Sequence, residues 1–224
     1  MTASLPSEVQ AVFAQFSATE LTTVDERGQP TSRPATASYQ PGAPCIDLTS
    51  EIVPLGDNPL VGLLFCEPEG SGLSDPPMVF VQGTAQVDAD RLRVRPERVY
   101  VWPGGDIACD PELYDAHMEE VRSGHSEEPD RYHARPSGGA TAWNDRLDRL
   151  EAAVLSIISP DGFPFAVRVP VHAEADARVV VIDGAPTGIP FQPGLACLTA
   201  GDVQVRGDLV YDGDSWALVP HEVR

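Results

Sequence analysis

The side chains able to do chemistry in this 224-residue chain are fifteen arginines, five histidines, four cysteines and three tryptophans, and there is no lysine. Without a lysine amine there is no Schiff-base nucleophile and no P-loop lysine, which excludes pyridoxal-type lysine chemistry and ordinary P-loop ATP hydrolysis. His117, His125 and His133 lie near Glu119, Glu120 and Asp130. No H-x-x-x-H spacing sets two imidazoles on one helix face, so the sequence predicts no metal site. No G-x-S-x-G elbow occurs; the nearest stretch, GSGLSDPP over 70–77, reads as a polar hairpin loop, and hydrolase chemistry has no nucleophile to start from. Cys45, Cys66, Cys109 and Cys197 form no C-x-x-C pair, and three of them sit in apolar runs. They read as reduced, structural thiols of a cytoplasmic protein. Trp102, Trp143 and Trp216 offer flat faces to a ring ligand, or to a core. No side chain stands out as an acid–base catalyst.

Charge narrows the partners. Thirty-four acids against fifteen arginines give a formal charge of −19, which repels phosphate backbones and anionic headgroups and argues against nucleic-acid and membrane partners. A hydrophobic content of 42% suits a folded protein rather than a solvated acidic chain. The opening residues carry no basic stretch, and no apolar run of about 18 residues is present, so neither a signal peptide nor a membrane span is expected.

Periodicity supplies the elements that must hold these groups. Val9, Val12, Phe13 and Phe16 recur at helical spacing, which predicts a short helix over 7–17. Strand patterns follow over 18–24, 31–39, 45–49, 61–66 and 78–87, with a strand end over 99–102; Asp25-Glu26-Arg27-Gly28 makes the first hairpin turn. The stretch 103–153 reads as a helical linker. It holds one helix over 111–122, a polar loop SGHSEEPDRYHARPSGG, and a second helix over 141–153 capped by Thr141. Then the first pattern returns: LTTVDERGQP at Leu21 matches LSIISPDGFP at Leu155, 134 residues later, aligning Gly28 with Gly162 and Pro30 with Pro164. NPLVGLLFC (58–66) resembles QPGLACLTA (192–200), and VFVQGTAQVDAD (79–90) resembles VQVRGDLVYDGD (203–214), which aligns Gly83 with Gly207. Similar blocks in one order indicate an internal duplication. The fold expected is mainly β: a small barrel over 1–102, the linker over 103–153, and a second, smaller barrel over 154–224, packed as a pseudo-twofold pair. No G-x-G-x-x-G follows the first strand, so a dinucleotide-binding α/β fold has no support.

The block order itself carries a family likeness. A strand ending in D-x-x-G-x-P, a strand with an Arg-Pro step, a short strand closing on Thr-Ser, then N-P-x-V-x-L-L-F and V-x-V-x-G-x-A-x-V together resemble the pyridoxamine 5′-phosphate oxidase-like FMN-binding split barrel. The match covers 18–90 well and the second copy, 154–219, more loosely. The resemblance implies FMN as cofactor, oxidoreductase activity on a small molecule, and a groove between two barrels. That groove would be built in a homodimer or, in a tandem chain, within one molecule. It implies Arg33, Thr49 and Ser50 on the phosphate side, Arg168 near the equivalent place in the second copy, Gln82 at the ring edge and Trp216 lining the cleft. FAD, a deazaflavin or haem are alternative ligands of such barrels. One departure stands out: residues 51–57 read EIVPLGD, with two acids and no base, where the family commonly has a basic helix gripping the phosphate. Either arginines elsewhere hold the phosphate, or a segment this chain lacks does so in the family, or flavin binding is lost. The alternative function is therefore a non-catalytic split barrel binding a flavin, haem or other small ligand, or serving as a structural module.

Overall fold

Period-two alternation of apolar and β-branched residues drives this chain into strands. The computed structural model describes residues 18–49, 59–66, 78–88, 91–102, 105–108, 147–184, 191–211 and 213–224, with Ser7, Gln10 and Phe13 helical ahead of them. β1 (Ala18–Val24), β2 (Pro30–Ser38), β3 (Ile46–Thr49), β4 (Leu60–Cys66), β5 (Met78–Asp88) and β6 (Arg91–Trp102) pair antiparallel in the order β3-β2-β1-β4-β5-β6. β3 returns onto β6 and closes a six-stranded barrel, while β7 (Gly105–Ala108) pairs with β6. β8 (Ala152–Ile158), β9 (Pro164–Glu174), β10 (Val179–Ile182), β11 (Gly194–Ala200), β12 (Val203–Tyr211) and β13 (Trp216–Val223) close a second barrel in the order β10-β9-β8-β11-β12-β13. The two orders are the same, so β8 to β13 copy β1 to β6. The expected pair of tandem barrels is observed, and the second has as many strands as the first.

The copies share their local devices. Gly28 (φ +77°) and Gly162 (φ +82°) end the first hairpin turn of each barrel in the left-handed region. Their N–H groups donate to the carbonyls of Asp25 and Ser159 at 2.9 and 2.8 Å. The ladder slips between Gln82 and Gly83, opposite Pro96, and again between Arg206 and Gly207, opposite Pro220. Proline has no N–H to give a ladder, so each sits at a bulge. Each facing glycine is required by space: a Cβ on Gly83 would lie 2.3 Å from the Arg95 carbonyl oxygen, and on Gly207 2.1 Å from that of Val219.

Four expectations are corrected. β6 runs from Arg91, well before the strand end expected over 99–102. Its alternating arginines and Pro96 mask a strand whose proline is absorbed by the bulge. The helix expected over 141–153 does not reach its end: Leu147–Arg149 is a 3₁₀ turn, and from Ala152 the apolar run pairs with β9 and β11 instead. β7 is a strand inside the stretch read as a helical linker. Finally, Thr22 faces Gly62, whereas its copy Ser156 faces Cys197. Gly62 therefore corresponds to Cys197 and not to Ala196. That one-residue slip exchanges the two faces of β11 relative to the sequence alignment. Residues 109–146, with the helix expected over 111–122, and most of 7–17 lie outside the described residues.

Leu21, Ile46, Leu48, Val61, Leu63, Phe65, Val79, Val81, Val94 and Val99 fill the first barrel. The core of the second barrel continues without a break onto Leu64, Met78 and Phe80, which face outward from the first. The barrels thus share an apolar seam.

Candidate functional site

The seam is built around hydroxyls. Thr22 Oγ1 and Ser32 Oγ lie 2.7 Å apart on β1 and β2, and Ser32 Oγ lies 2.7 Å from Ser156 Oγ on β8 of the other barrel. All three residues are fully buried. Gln29 Nε2 donates across the seam to the Ala196 carbonyl at 2.8 Å, and Gln204 Nε2 to that of Ser32 at 3.1 Å. Buried polar groups paired in this way tolerate no sliding, because any shift strands a donor in an apolar setting. The hairpins therefore hold the barrels in one relative position.

The pseudo-twofold leaves two sides to the seam, and they have diverged. On the first, Phe80 from β5 and Tyr100 from β6 meet Phe165 from β9, with ring centroids 4.3 Å (Phe80–Phe165) and 6.1 Å (Tyr100–Phe165) apart. The Arg98 guanidinium lies 5.3 Å over the Tyr100 ring, and Tyr100 Oη donates to Gln82 Oε1 at 3.5 Å. Beside them Glu20 (β1), Cys66 (β4) and Arg168 (β9) interact. Burial pushes the Glu20 carboxyl up, against the pull of the Arg168 charge. Burial likewise raises the Cys66 thiol, with Arg168 pulling it down through its charge and a hydrogen bond and Glu20 pushing it up. Glu20 Oε2 is buried without a hydrogen-bond partner. On the second side the same strand positions carry charges. Arg206 replaces Gln82, Glu222 replaces Arg98 and Arg224 replaces Tyr100. Arg206 Nη1 is 3.7 Å from Asp25 Oδ2, and Arg224 Nε is 2.8 Å from Glu222 Oε1.

The residues singled out from the sequence fall in three places. Gln82, buried, and Arg168, half-buried, stand on the aromatic side of the seam. Arg33 is exposed on β2, and Thr49 is exposed at the end of β3 with its Oγ1 donating to the Thr36 carbonyl at 3.4 Å; Ser50 lies outside the described residues. Arg33 faces Leu21 and Arg168 faces Val154, one register step apart in the two copies, so the true counterpart of Arg168 is Pro34. Trp216 opens β13 between Phe191 and Tyr211, at centroid distances of 5.6 and 5.2 Å. Glu222 lies six residues further along the same strand, about 20 Å at the usual strand rise. Glu20, Phe80, Arg98, Tyr100 and Phe165 were not legible as site residues. Only the duplication pointed to them, by setting the outer face of one copy against the hairpin of the other.

A flavin needs a flat apolar slot, polar groups at the ring edge, and cations or N–H groups for its phosphate. The aromatic side carries residue types suited to the first two, Phe80, Tyr100, Phe165 and the Tyr100–Gln82 pair, with Phe80, Phe165 and Gln82 buried. Its cations are already engaged: Arg168 faces a carboxyl and a thiol, and Arg98 lies over the Tyr100 ring. Haem would ask for an axial ligand. His172 Nδ1 lies 2.7 Å from Asp183 Oδ2 and His221 Nε2 lies 2.8 Å from Asp208 Oδ2, so both described imidazoles face carboxylates. Among the described residues no group of three His, Cys, Asp or Glu is placed to hold a metal ion, and no helix is long and apolar enough to cross a membrane.

The two six-stranded barrels repeat one strand order in tandem. No family profile matches the chain, and no curated protein matches it. Among solved structures, the chain is similar to a protein from Clostridium acetobutylicum related to general stress protein 26 of B. subtilis, of the pyridoxinephosphate oxidase family. The TM-score is 0.37 and the identity 13%, over 47% of this chain and 94% of that one. It is also similar to a heme binding protein from Mycobacterium smegmatis, with a TM-score of 0.38 and 15% identity, over 74% of this chain and 89% of that one.

Proposed function

We propose that this chain is a tandem split-barrel protein that holds a flat conjugated ligand, FMN foremost, on the aromatic side of its inter-barrel seam, and acts as a flavin-linked oxidoreductase on a small molecule. The observation that carries this reading is the Phe80–Tyr100–Phe165 group with its polar Gln82 edge, contributed by both barrels of one chain. The single chain supplies the pairing that a homodimer would otherwise build. Phe165 and Tyr100 would pack on the ring, Gln82 would meet its edge, and Arg33, Thr49 and Ser50 would serve the phosphate from the first barrel. Redox chemistry belongs to the cofactor; the protein sets access and orientation.

A second reading, a non-catalytic binder of a flavin, haem or other small ligand, is favoured by one observation. Arg168 faces Glu20, so its charge on the aromatic side of the seam is already offset. Absorbance spectroscopy of the purified chain, with titration by FMN and by riboflavin, separates the two. Micromolar FMN binding, tighter than riboflavin binding and weakened by Phe165→Ala, supports the oxidoreductase reading. Equal binding of the two, or a Soret band on adding haemin, moves the case to the second. Absence of binding by FMN, FAD and a deazaflavin at micromolar concentration overturns the first.

A further inference from the structure

Successive side chains alternate across a strand, so Arg206 and Asp208 on β12 share one face with their Cα atoms about 7 Å apart. β13 pairs Gly207 with Pro220 and Arg206 with Glu222, which makes His221 the extra residue of the bulge. Bulges re-aim side chains, and this one sets His221 Nε2 2.8 Å from Oδ2 of Asp208, a carboxylate only 1% exposed. His221 thus lies on the face that also carries Arg206. Across the seam Asp25 is pinned by its own turn, its Oδ1 accepting from the backbone N–H of Arg27 at 2.9 Å and of Gln29 at 3.0 Å. Its Oδ2 therefore stays at 3.7 Å from Arg206 Nη1, in charge contact rather than in a hydrogen bond. Arg206 Nε is buried with no hydrogen-bond partner. Arg27 and Arg224 are close enough that, with Arg206, their charges hold the Glu222 carboxyl low alongside its Arg224 hydrogen bond.

We propose that Arg206 and His221 form a binding site for a small oxyanion, a carboxylate or a phosphate group, on the charged side of the seam, with Asp208 as the positioning residue that fixes the imidazole. Guanidinium donors left short of partners suit an oxyanion in a planar fork. The Asp208 carboxylate stands at the Nε2 side of the imidazole, which leaves the Nδ1 side to face an anion. Asp25, Asp208 and Glu222 are the opposing charges nearby and limit affinity for inorganic phosphate to the millimolar range. The site shares no residue with the aromatic side and does not depend on flavin binding.

The test is NMR of the full chain, following the imidazole signals during titration with inorganic phosphate and separately with acetate at constant ionic strength. The His221 signal is assigned by its loss in His221→Gln. A saturable shift of His221 but not of His172 is expected, at least fivefold weaker in Arg206→Gln and unchanged in Arg149→Gln, an exposed arginine on the 3₁₀ turn. Phosphate responding more tightly than acetate identifies the phosphate as the ligand, and the reverse order the carboxylate. Arg27→Gln, on the exposed turn, provides a milder variant should Arg206→Gln fail to fold, with a two- to threefold loss expected. Asp208→Asn in a folded protein should weaken the response, with Asp208→Glu recovering part of it. No saturable shift, equal shifts of both histidines, or an undiminished response in the arginine variants means an adventitious ion only and overturns the site.

Discussion

Gly62→Ala is a direct trial of the seam. Gly62 lies on β4 where the outer face of the first barrel meets the second, opposite Thr22 on β1 and Gln82 on β5. A Cβ at this position would fall 2.6 Å from Phe80 Cζ and 2.6 Å from the Pro164 carbonyl oxygen, where ordinary contact begins near 3.4 Å. The gap must therefore open by roughly 0.8 Å, the shortfall from ordinary packing contact. Phe80 cannot swing away, because its ring packs on Phe165 with centroids 4.3 Å apart. The start of β9 has to move instead, and that loosens the Ser32–Ser156 contact and the Gln29 bond to Ala196. Overpacking of this kind costs about 1–3 kcal/mol, and weakened buried hydrogen bonds add about 1 kcal/mol. The stiffer unfolded chain returns about 0.5–1 kcal/mol. With each term at the middle of its range the net loss is about 2 kcal/mol, a fall in Tm of about 4–8 °C for a chain of this size. Thermal unfolding by circular dichroism measures it, and hydrogen exchange should accelerate in β4 and β9. Gly28→Ala is the control: nothing lies within 4 Å of its Cβ, and only the positive φ resists, at about 1–2 kcal/mol. If Gly62→Ala melts within a degree or two of the parent chain, the barrels do not pack as described.

Ser156→Ala removes the hydroxyl that reaches Ser32 across the seam while Thr22 remains paired with Ser32. A loss of about 1–2 kcal/mol is expected in urea unfolding, and none at all would refute the hydroxyl chain. The Cys197 thiol is fully buried and pushed up to about 11 by that burial, against the pull of its Thr199 hydrogen bond. It should resist maleimide at pH 8 in the native chain and react on denaturation, and peptide mapping that finds it labelled natively would contradict its burial. The Asp183 hydrogen bond, with Glu174 beside it, raises His172 above its usual value despite some desolvation. A raised folded value means the pairing stabilises fully below the unfolded midpoint near 6.5, and is lost as pH rises through the folded one. Half-exposure keeps the contribution small. NMR titration should show His172 above 6.5 and Asp183→Asn bringing it down; a midpoint at or below 6.5 in the parent chain would count against the contact.

Strand positions, hairpin glycines and the duplication are legible in the sequence because each is a local signal. Alternation marks β1 to β5, and the Gly28/Gly162 and Gly83/Gly207 matches mark equivalent turns and bulges. Register is not local. The apolar run of β11 reads equally well one residue out of step, and only its pairing with β8 shows that Cys197, not Ala196, answers Gly62. Pro96 argues against a strand until the bulge opposite Gly83 is known to receive it. Among the site residues, Gln82 and Arg168 were visible singly, while Phe165 gained meaning only when barrel closure set it against Phe80 and Tyr100.

Composition by itself determined the charge of −19, the arginine-only set of strong cations, and the absence of lysine chemistry. Tertiary structure decided which charges meet. It turned Arg168 toward Glu20, held Arg206 at a distance from Asp25, and brought His221 onto Asp208. The reason is physical: a charge acts through its distance to partners and the dielectric around it, and both are set by strand register and burial across a seam that joins residues more than a hundred positions apart.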